Sequence, residues 1–323
     1  MSKRFDNKKL LVIFGILIVI LLLTMILKIP KEKSTLKGSI VELDTADVSR
    51  IMCIPKKNTG DPFEFVKKNN GWTIRQGNII SAPAKGAIQN IFTEILSIRP
   101  QSLAAKDKAK WTEYDLTDSS AIQIRLMNVK NKVLADLLIG KFTYKQVANP
   151  YNYNGGNSVE GTSYVRLKGE NEVYAVEGFL AFSFGGGFND WRDKSLIRCK
   201  KDDILKVTFT LPGDSSFTLM KKDKVWFVEE RPADSAAVAE YLNSLAFIDG
   251  QDFKDGYRPD VNPDYQLLVE GNNLLNLSVK CYNAKETNDY LINSSLNPDI
   301  YFSSKRNGVF NQIFKPEINF TRK

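Results

Sequence analysis

Apolar positions are distributed along this chain in two ways. From Leu10 to Leu27 they are continuous, LLVIFGILIVILLLTMIL, eighteen residues without a charge and with only Gly15 and Thr24 breaking the aliphatic run. At about 1.5 Å per residue such a helix is about 27 Å long, close to a bilayer's hydrocarbon core. A soluble helix would keep one face polar, so the pattern predicts a single transmembrane helix over residues 10–27. After residue 38 apolar residues alternate at the strand period or recur at helical spacing instead.

That second part repeats itself. Asp47-Val48-Ser49-Arg50-Ile51, Phe63-Glu64-Phe65 and Gly71-Trp72-Thr73-Ile74 return as Asp203-Ile204-Leu205-Lys206-Val207, Phe217-Thr218-Leu219 and Val225-Trp226-Phe227-Val228. Ala84, Ile88 and Ile91 lie 12, 16 and 19 residues after Trp72, and Val238, Leu242 and Leu245 lie at the same offsets from Trp226. Those spacings put each trio on one helical face. Each unit therefore reads as three strands, the third with a tryptophan, followed by an amphipathic helix of about fifteen residues. Pro83 and Pro232 stand near the helix starts, where a missing N–H costs nothing. Further strands are predicted at 121–126, 133–139, 163–167 and 173–176 in the first unit. The second unit has them at 265–269, 275–280 and 300–303, then a short helix at 309–314. Strand runs followed by a single helix argue an α+β fold with largely antiparallel sheets.

The predicted plan has six parts. A basic tail (1–9) precedes the transmembrane helix (10–27) and a linker (28–37). Two tandem, diverged α+β repeats follow (38–184 and 196–323), each a mostly antiparallel sheet with a packed helix. Between them Gly185-Gly186-Gly187 opens a glycine-rich linker (185–195). No A-x-A site or cysteine follows the apolar run, so it reads as an uncleaved anchor. A nine-residue basic tail resists translocation while long domains cross regardless of charge. The tail is thus expected inside, with the bulk of the chain on the outer face of the cytoplasmic membrane.

Charge adds little to this picture. The net charge is +8, but setting aside the eight basic and two acidic residues before Gly38 leaves 37 against 35. The basicity belongs to the flanks of the apolar run, where it suits anionic head groups. A nucleic-acid surface would need a basic stripe in the folded part, and none is visible. Cys53, Cys199 and Cys281 are far apart and odd in number, a poor disulfide framework, and read as buried apolar residues. The chain has no histidine, which excludes Ser-His-Asp and Cys-His catalysis and histidine zinc sites.

Candidate chemistry is sparse. Leu137-Leu138-Ile139-Gly140-Lys141 lacks the upstream glycine and trailing Ser/Thr of a phosphate loop. Acid pairs occur at Glu113 and Asp115, Asp202 and Asp203, and Glu229 and Glu230. Adjacent acids in so charged a chain are usually solvated. No enzyme is expected, and neither a cofactor nor a metal; the remaining catalytic alternative is a histidine-free carboxylate hydrolase. The most unusual surface candidate is the loop 144–162. Tyr144, Tyr151 and Tyr153 stand there among Asn149, Asn152, Asn154 and Asn157, a composition common in adaptable binding loops. The second repeat has no counterpart to it.

The order of motifs, "GW-x-I" at Gly71–Ile74, "YDL" at Tyr114–Leu116, "LLIGK" at Leu137–Lys141, "SYVR" at Ser163–Arg166, "EVYAV" at Glu172–Val176 and "WRDKSLI" at Trp191–Ile197, resembles the bacterial domain-of-unknown-function family 4340. The second repeat lacks "LLIGK" and "YVR". The resemblance implies a membrane-anchored envelope protein associated with ABC-type export or gliding-like systems, and it carries over no catalytic residue. The expected function is a non-enzymatic accessory or scaffolding subunit of such a complex, with membrane-protein partners such as ABC transporter subunits and no nucleic acid. The alternative is an extracytoplasmic glycan- or peptide-binding module that uses Tyr144, Tyr151, Asn152, Tyr153 and Asn154.

Overall fold

The computed structural model describes residues 36–69, 71–148 and 157–321, together with Phe14, Ile16 and Ile18. Apart from those three residues, which are helical, the apolar run 10–27 lies outside the described residues. Among the described residues no helix is long and apolar enough to cross a membrane. The helices α1 (Ala87–Ser97) and α3 (Ser235–Leu245) have eleven residues each, about 16 Å at the α-helical rise against a hydrocarbon core of about 30 Å. The expected class, α+β headed by a transmembrane helix, is therefore corrected. The described chain is predominantly antiparallel sheet, with helices too short to do more than cover part of a sheet face.

The first set of strands is β1 (Arg50–Ile54), β2 (Phe63–Lys68), β3 (Gly71–Gln76), β4 (Ile79–Ser81), β5 (Pro100–Ala105), β6 (Ile122–Met127), β7 (Val133–Ala148), β8 (Asn157–Leu167) and β9 (Val173–Glu177). α1 falls between β4 and β5, and α2 (Leu180–Phe184) follows β9. Next come β10 (Ser195–Arg198), β11 (Ile204–Thr210), β12 (Phe217–Lys222), β13 (Val225–Val228) and β14 (Arg231–Pro232), then α3. The chain continues through β15 (Phe247–Asp249), β16 (Asp252–Phe253), β17 (Tyr265–Gly271), β18 (Leu277–Ala284), β19 (Asp289–Ser294) and β20 (Asn297–Ser303) to α4 (Val309–Ile313).

Two nine-stranded sheets result, ordered β4-β3-β2-β1-β6-β7-β8-β9-β5 and β14-β13-β12-β11-β17-β18-β19-β20-β16, with β10 and β15 pairing separately. Each order has the same logic. One meander runs from the first strand to an edge, a second is added on the first strand's other side, and a strand from the segment after the helix closes the far edge. Alternation explains why these segments are strands. In β1 Ile51 and Cys53 are buried between half-buried neighbours, and in β11 Ile204, Val207 and Phe209 are buried. The prolines near the helices sit before them. Pro83 bridges to Arg192 and Pro232 pairs with Phe227, while Asp234 caps α3 by accepting from the N–H groups of Ala236 and Ala237.

The chain divides into two compact units. One comprises the described residues of Met1–Asp44, Thr93–Ile122 and Ala135–Ser183. Leu116, Ala121, Leu138 and Val173 form a core cluster there, with Trp111, Tyr114 and Tyr164 packed against it.

The other comprises the described residues of Thr45–Phe92, Gln123–Leu134 and Phe184–Lys323. A large core runs there from Leu196 to Phe320 and includes the stacked rings of Phe209 and Phe217, 4.3 Å apart. The segment expected as a linker (185–195) is anchored within this unit through Phe188, Trp191 and Arg192, while Gly185 and Gly187 are exposed. The Ala84 N–H donates to the Trp191 carbonyl at 2.8 Å, and the Trp191 ring meets Phe65 edge-on at 5.8 Å. Arg192, 1% exposed, lies 3.7 Å over the Phe253 ring and donates both terminal nitrogens to Asp255, at 2.6 and 2.8 Å.

Candidate binding surface

The strongest functional candidate is built on β7 and β8, the long hairpin of the first compact unit. Its strands pair from Leu137 with Leu167 out to Ala148 with Asn157, with a register shift between Ile139 and Phe142. Phe142 faces Ser163, Tyr144 faces Gly161, and Gln146 faces Val159. Because side chains alternate across a strand, Phe142, Tyr144 and Gln146 share one face with Ser163, Gly161 and Val159. Lys145 and Glu160 pair on the opposite face, ammonium to carboxylate at 2.9 Å.

The first face is capped at its base by α2. The Ser163 hydroxyl donates to the Gly178 carbonyl at 2.8 Å and accepts from the Leu180 N–H at 3.0 Å, fixing the helix start over the strand. A Cβ on Gly161 would lie 2.7 Å from the Phe179 ring, so only glycine lets that ring settle on the ribbon. The Phe142, Phe179 and Phe182 rings form a cluster with centroids 4.9 to 6.0 Å apart. Phe182 is 71% exposed, Tyr144 67% and Val159 52%. Aromatic and aliphatic side chains make up most of this face, Gln146 and Ser163 are its polar members, and none of the residues named is charged, on a chain in which a quarter of the residues are charged. Such patches mark interaction sites rather than ordinary solvent surface.

Of the residues singled out from sequence, Tyr144 lies on this face, while Tyr151, Asn152, Tyr153 and Asn154 lie outside the described residues. The expected loop 144–162 is shorter than its composition suggested, because Tyr144–Ala148 and Asn157–Thr162 are strand, held by the cross-strand ladder. Phe142, Phe179 and Phe182 were missed. Their signal was available in the alternation of Phe142 with Tyr144 and the i, i+3 spacing of the phenylalanines after Gly178.

Beneath the ribbon the short motifs converge. A Cβ on Gly140 would fall on the Tyr114 carbonyl, and that same carbonyl accepts the Lys141 N–H at 3.0 Å. The Tyr114 and Tyr164 rings lie 4.6 Å apart. Arg166, 1% exposed, donates its Nε to the Leu116 carbonyl at 2.9 Å and stacks 3.5 Å over Trp111. Burial lowers its pKa, opposed by Asp118 at 3.3 Å. The Lys168 ammonium at 2.7 Å holds the Asp118 carboxyl below its ordinary range, partly offset by burial. These contacts make "YDL", "LLIGK" and "SYVR" one packed knot at the base of the ribbon.

Each acid pair lies outside the knot beneath this face or has one member already paired. Glu113 meets Lys110 at 2.9 Å, Glu229 accepts the Thr218 N–H at 2.6 Å, and Asp202 and Asp203 sit in a 3₁₀ turn. Among the described residues no group of three or more Cys, Asp or Glu side chains could hold a metal ion. No curated protein and no solved structure matches the chain. The family model described as "Domain of unknown function (DUF4340)" matches residues 80–268, more than half of the chain and all of the knot beneath the ribbon, and the chain belongs to that family.

Proposed function

We propose that this protein is a non-enzymatic accessory subunit of a membrane transport or envelope complex, working at the outer face of the cytoplasmic membrane and holding a partner protein on the β7–β8 ribbon. The uncharged aromatic face of Phe142, Tyr144, Val159 and Phe182 carries the reading. Exposed aromatics at the centre of a patch are what protein partners bury most profitably. A glycan site would need several polar groups to orient a sugar. The Ser163 hydroxyl on this face is already committed to Gly178 and Leu180, so the glycan- or peptide-binding alternative would rest on Tyr144 with Tyr151, Asn152, Tyr153 and Asn154, the last four outside the described residues.

The test is affinity capture of the tagged full-length protein from its native membranes in mild detergent, with mass spectrometry of the co-purifying proteins. A transporter permease or ATPase recovered with the native chain and lost with Tyr144→Ser/Phe182→Ser supports the proposal. The same proteins recovered from both would refute the assigned face. A topology reporter fused after Lys323 checks the placement, and a cytoplasmic signal would overturn it.

A further inference from the structure

Two turns meet at the start of β1. Arg50, its first residue, pairs with Val66 of β2 on one side and with Met127 of β6 on the other. Just before it, Ser49 donates its N–H to the Met127 carbonyl at 2.9 Å and accepts the Lys67 N–H at 2.8 Å. The β2–β3 turn, with Lys67 and Lys68, and the β6–β7 turn, with Val129, Lys130 and Lys132, are thus held side by side. Two inter-strand spacings separate β2 from β6, about 10 Å.

The β6–β7 turn is closed by its own hydrogen bonds. The Asn131 N–H donates to the Asn128 carbonyl at 2.9 Å, and the Asn128 side-chain oxygen accepts from the Lys130 and Lys132 N–H groups, each at 3.0 Å. Asn131 takes the left-handed conformation, at a φ of 60°, that completes such a hairpin turn. Val129 and Lys130 hold the two central positions, where backbone geometry favours small or polar residues. Val129 is nevertheless an apolar side chain 82% exposed, which the turn does not require. Residues 67–71 and 128–133 contain no acid. Among the described residues Lys67, Lys68, Lys130 and Lys132 enter no ion pair, not even with Asp47, two residues before Ser49.

The second sheet repeats the combination with other residues. At the start of β11, where Ile204 pairs with Gly271, the β12–β13 turn carries Lys221, Lys222 and Lys224, and the β17–β18 turn carries Leu275, 94% exposed. Asp223 dilutes the charge there, which makes the first sheet the stronger case.

We propose that the two turns at the start of β1 rest on an anionic lipid bilayer. Val129 enters the boundary between head groups and acyl chains, and the four lysines lie at the level of the phosphates. Charge selects a negative partner, and shape selects a bilayer over a protein. One aliphatic side chain on a turn cannot supply the packed central cluster that a protein interface needs, whereas a bilayer admits it without a complementary cavity. All four cations are lysines, flexible point charges suited to mobile head groups, and none is an arginine, whose rigid fork suits a fixed anion. This contact is separate from the ribbon of β7 and β8 and fails separately from it.

The test uses the full-length chain in a Cys199→Ser background, with an environment-sensitive fluorophore on Val129→Cys or, as the control, on Asp214→Cys in the turn at the other end of β11. With phosphatidylglycerol–phosphatidylcholine vesicles carrying a head-group nitroxide, the fluorophore at residue 129 should shift to the blue and lose most of its emission. The one at residue 214 should keep its emission, as should both with pure phosphatidylcholine. Lys67→Glu/Lys132→Glu should restore the emission at residue 129. High salt, which needs no charge substitution, should do the same. Flotation with the neutral vesicles reports membrane attachment elsewhere in the chain, so the two contacts are read apart. Quenching at residue 129 no greater than at residue 214, equal quenching in neutral vesicles, or quenching indifferent to both the glutamates and salt would each overturn the proposal.

Discussion

Replacing Asp255 with alanine strands a charge. The Arg192 guanidinium is 1% exposed and lies over Phe253 at 3.7 Å and Phe188 at 5.0 Å. Its donors reach Asp255 twice, at 2.6 and 2.8 Å, and Asn189 once, at 2.9 Å. Without the carboxylate one amide oxygen remains as its acceptor, and the positive charge stays inside. Breaking a buried pair from one side costs about 3–5 kcal/mol. The Asp255 side chain is 31% exposed, so water can reach the vacated side, and about 2–4 kcal/mol is expected. Asn189→Ala removes one hydrogen bond and should cost about 1 kcal/mol. Arg192→Met keeps the contact with Phe253 and removes the charge, so adding Asp255→Ala to it should cost almost nothing further. The coupling of the pair should therefore come out at about 2–4 kcal/mol.

Urea unfolding followed by circular dichroism gives the free energies. Because the chain has two compact units and exceeds the usual two-state size, native-state hydrogen exchange over residues 184–193 and 250–258 must localise the loss. Asp255→Ala within about 0.5 kcal/mol of the native chain, or exchange unchanged in both segments, would refute the idea that this pair secures the glycine-rich segment.

Other substitutions and titrations test the remaining contacts. Gly140→Ala, which drives a Cβ onto the Tyr114 carbonyl, should lower stability by about 2–3 kcal/mol and the melting temperature by several degrees, read by calorimetry. Arg166→Met should cost about 1–3 kcal/mol through the orphaned Leu116 carbonyl, and an unchanged melt would deny the knot its role. Cys53 and Cys281 are buried with thiols pushed up by burial, while Cys199 is half-buried. Burial, with a lesser contribution from Asp203, pushes the Cys199 thiol up as well, so access decides the order: one thiol per native chain should react with an aromatic disulfide reagent ahead of the other two, and Cys199→Ser should remove that first phase. Burial, with a lesser contribution from Tyr290, pushes Tyr265 up to about 12. The folded state keeps a proton that the unfolded state loses near pH 10, so stability should fall as pH rises from about 10 to 12. Tyr265→Phe should flatten that limb in alkaline denaturation curves.

Much of the strand content was legible because a half-buried strand writes its period into the chain. β1 to β3 and β11 to β13 occupy the segments expected from the alternation around Trp72 and Trp226, and the faces of α1 and α3 follow Ile91 and the trio Val238, Leu242 and Leu245. Short or marginal strands escaped, because two residues of β14 or β16 carry no period. The helices came out at eleven residues rather than fifteen. Ala84 and Pro83 are drawn into contacts with Trp191 and Arg192 before α1 begins, a tertiary pull that spacing does not encode.

The candidate surface was half legible. Tyrosine and asparagine flagged the hairpin, but the composition of a loop does not say where a ladder stops, and Tyr144 proved to be a strand residue beside Phe142.

By itself, then, the sequence determined local quantities: the strands long enough to carry a period, the repetition of its motifs, the absence of histidine chemistry and the motifs that place the chain in its family. Tertiary structure alone decided the long-range ones. Arg192 finds Asp255 across 63 residues, Arg166 finds the Leu116 carbonyl across 50, and Gly161 makes room for the ring of Phe179. Periodicity records whether a position faces in or out. Which distant backbone or carboxylate meets it depends on strand order and register, and those are set by packing the whole chain at once.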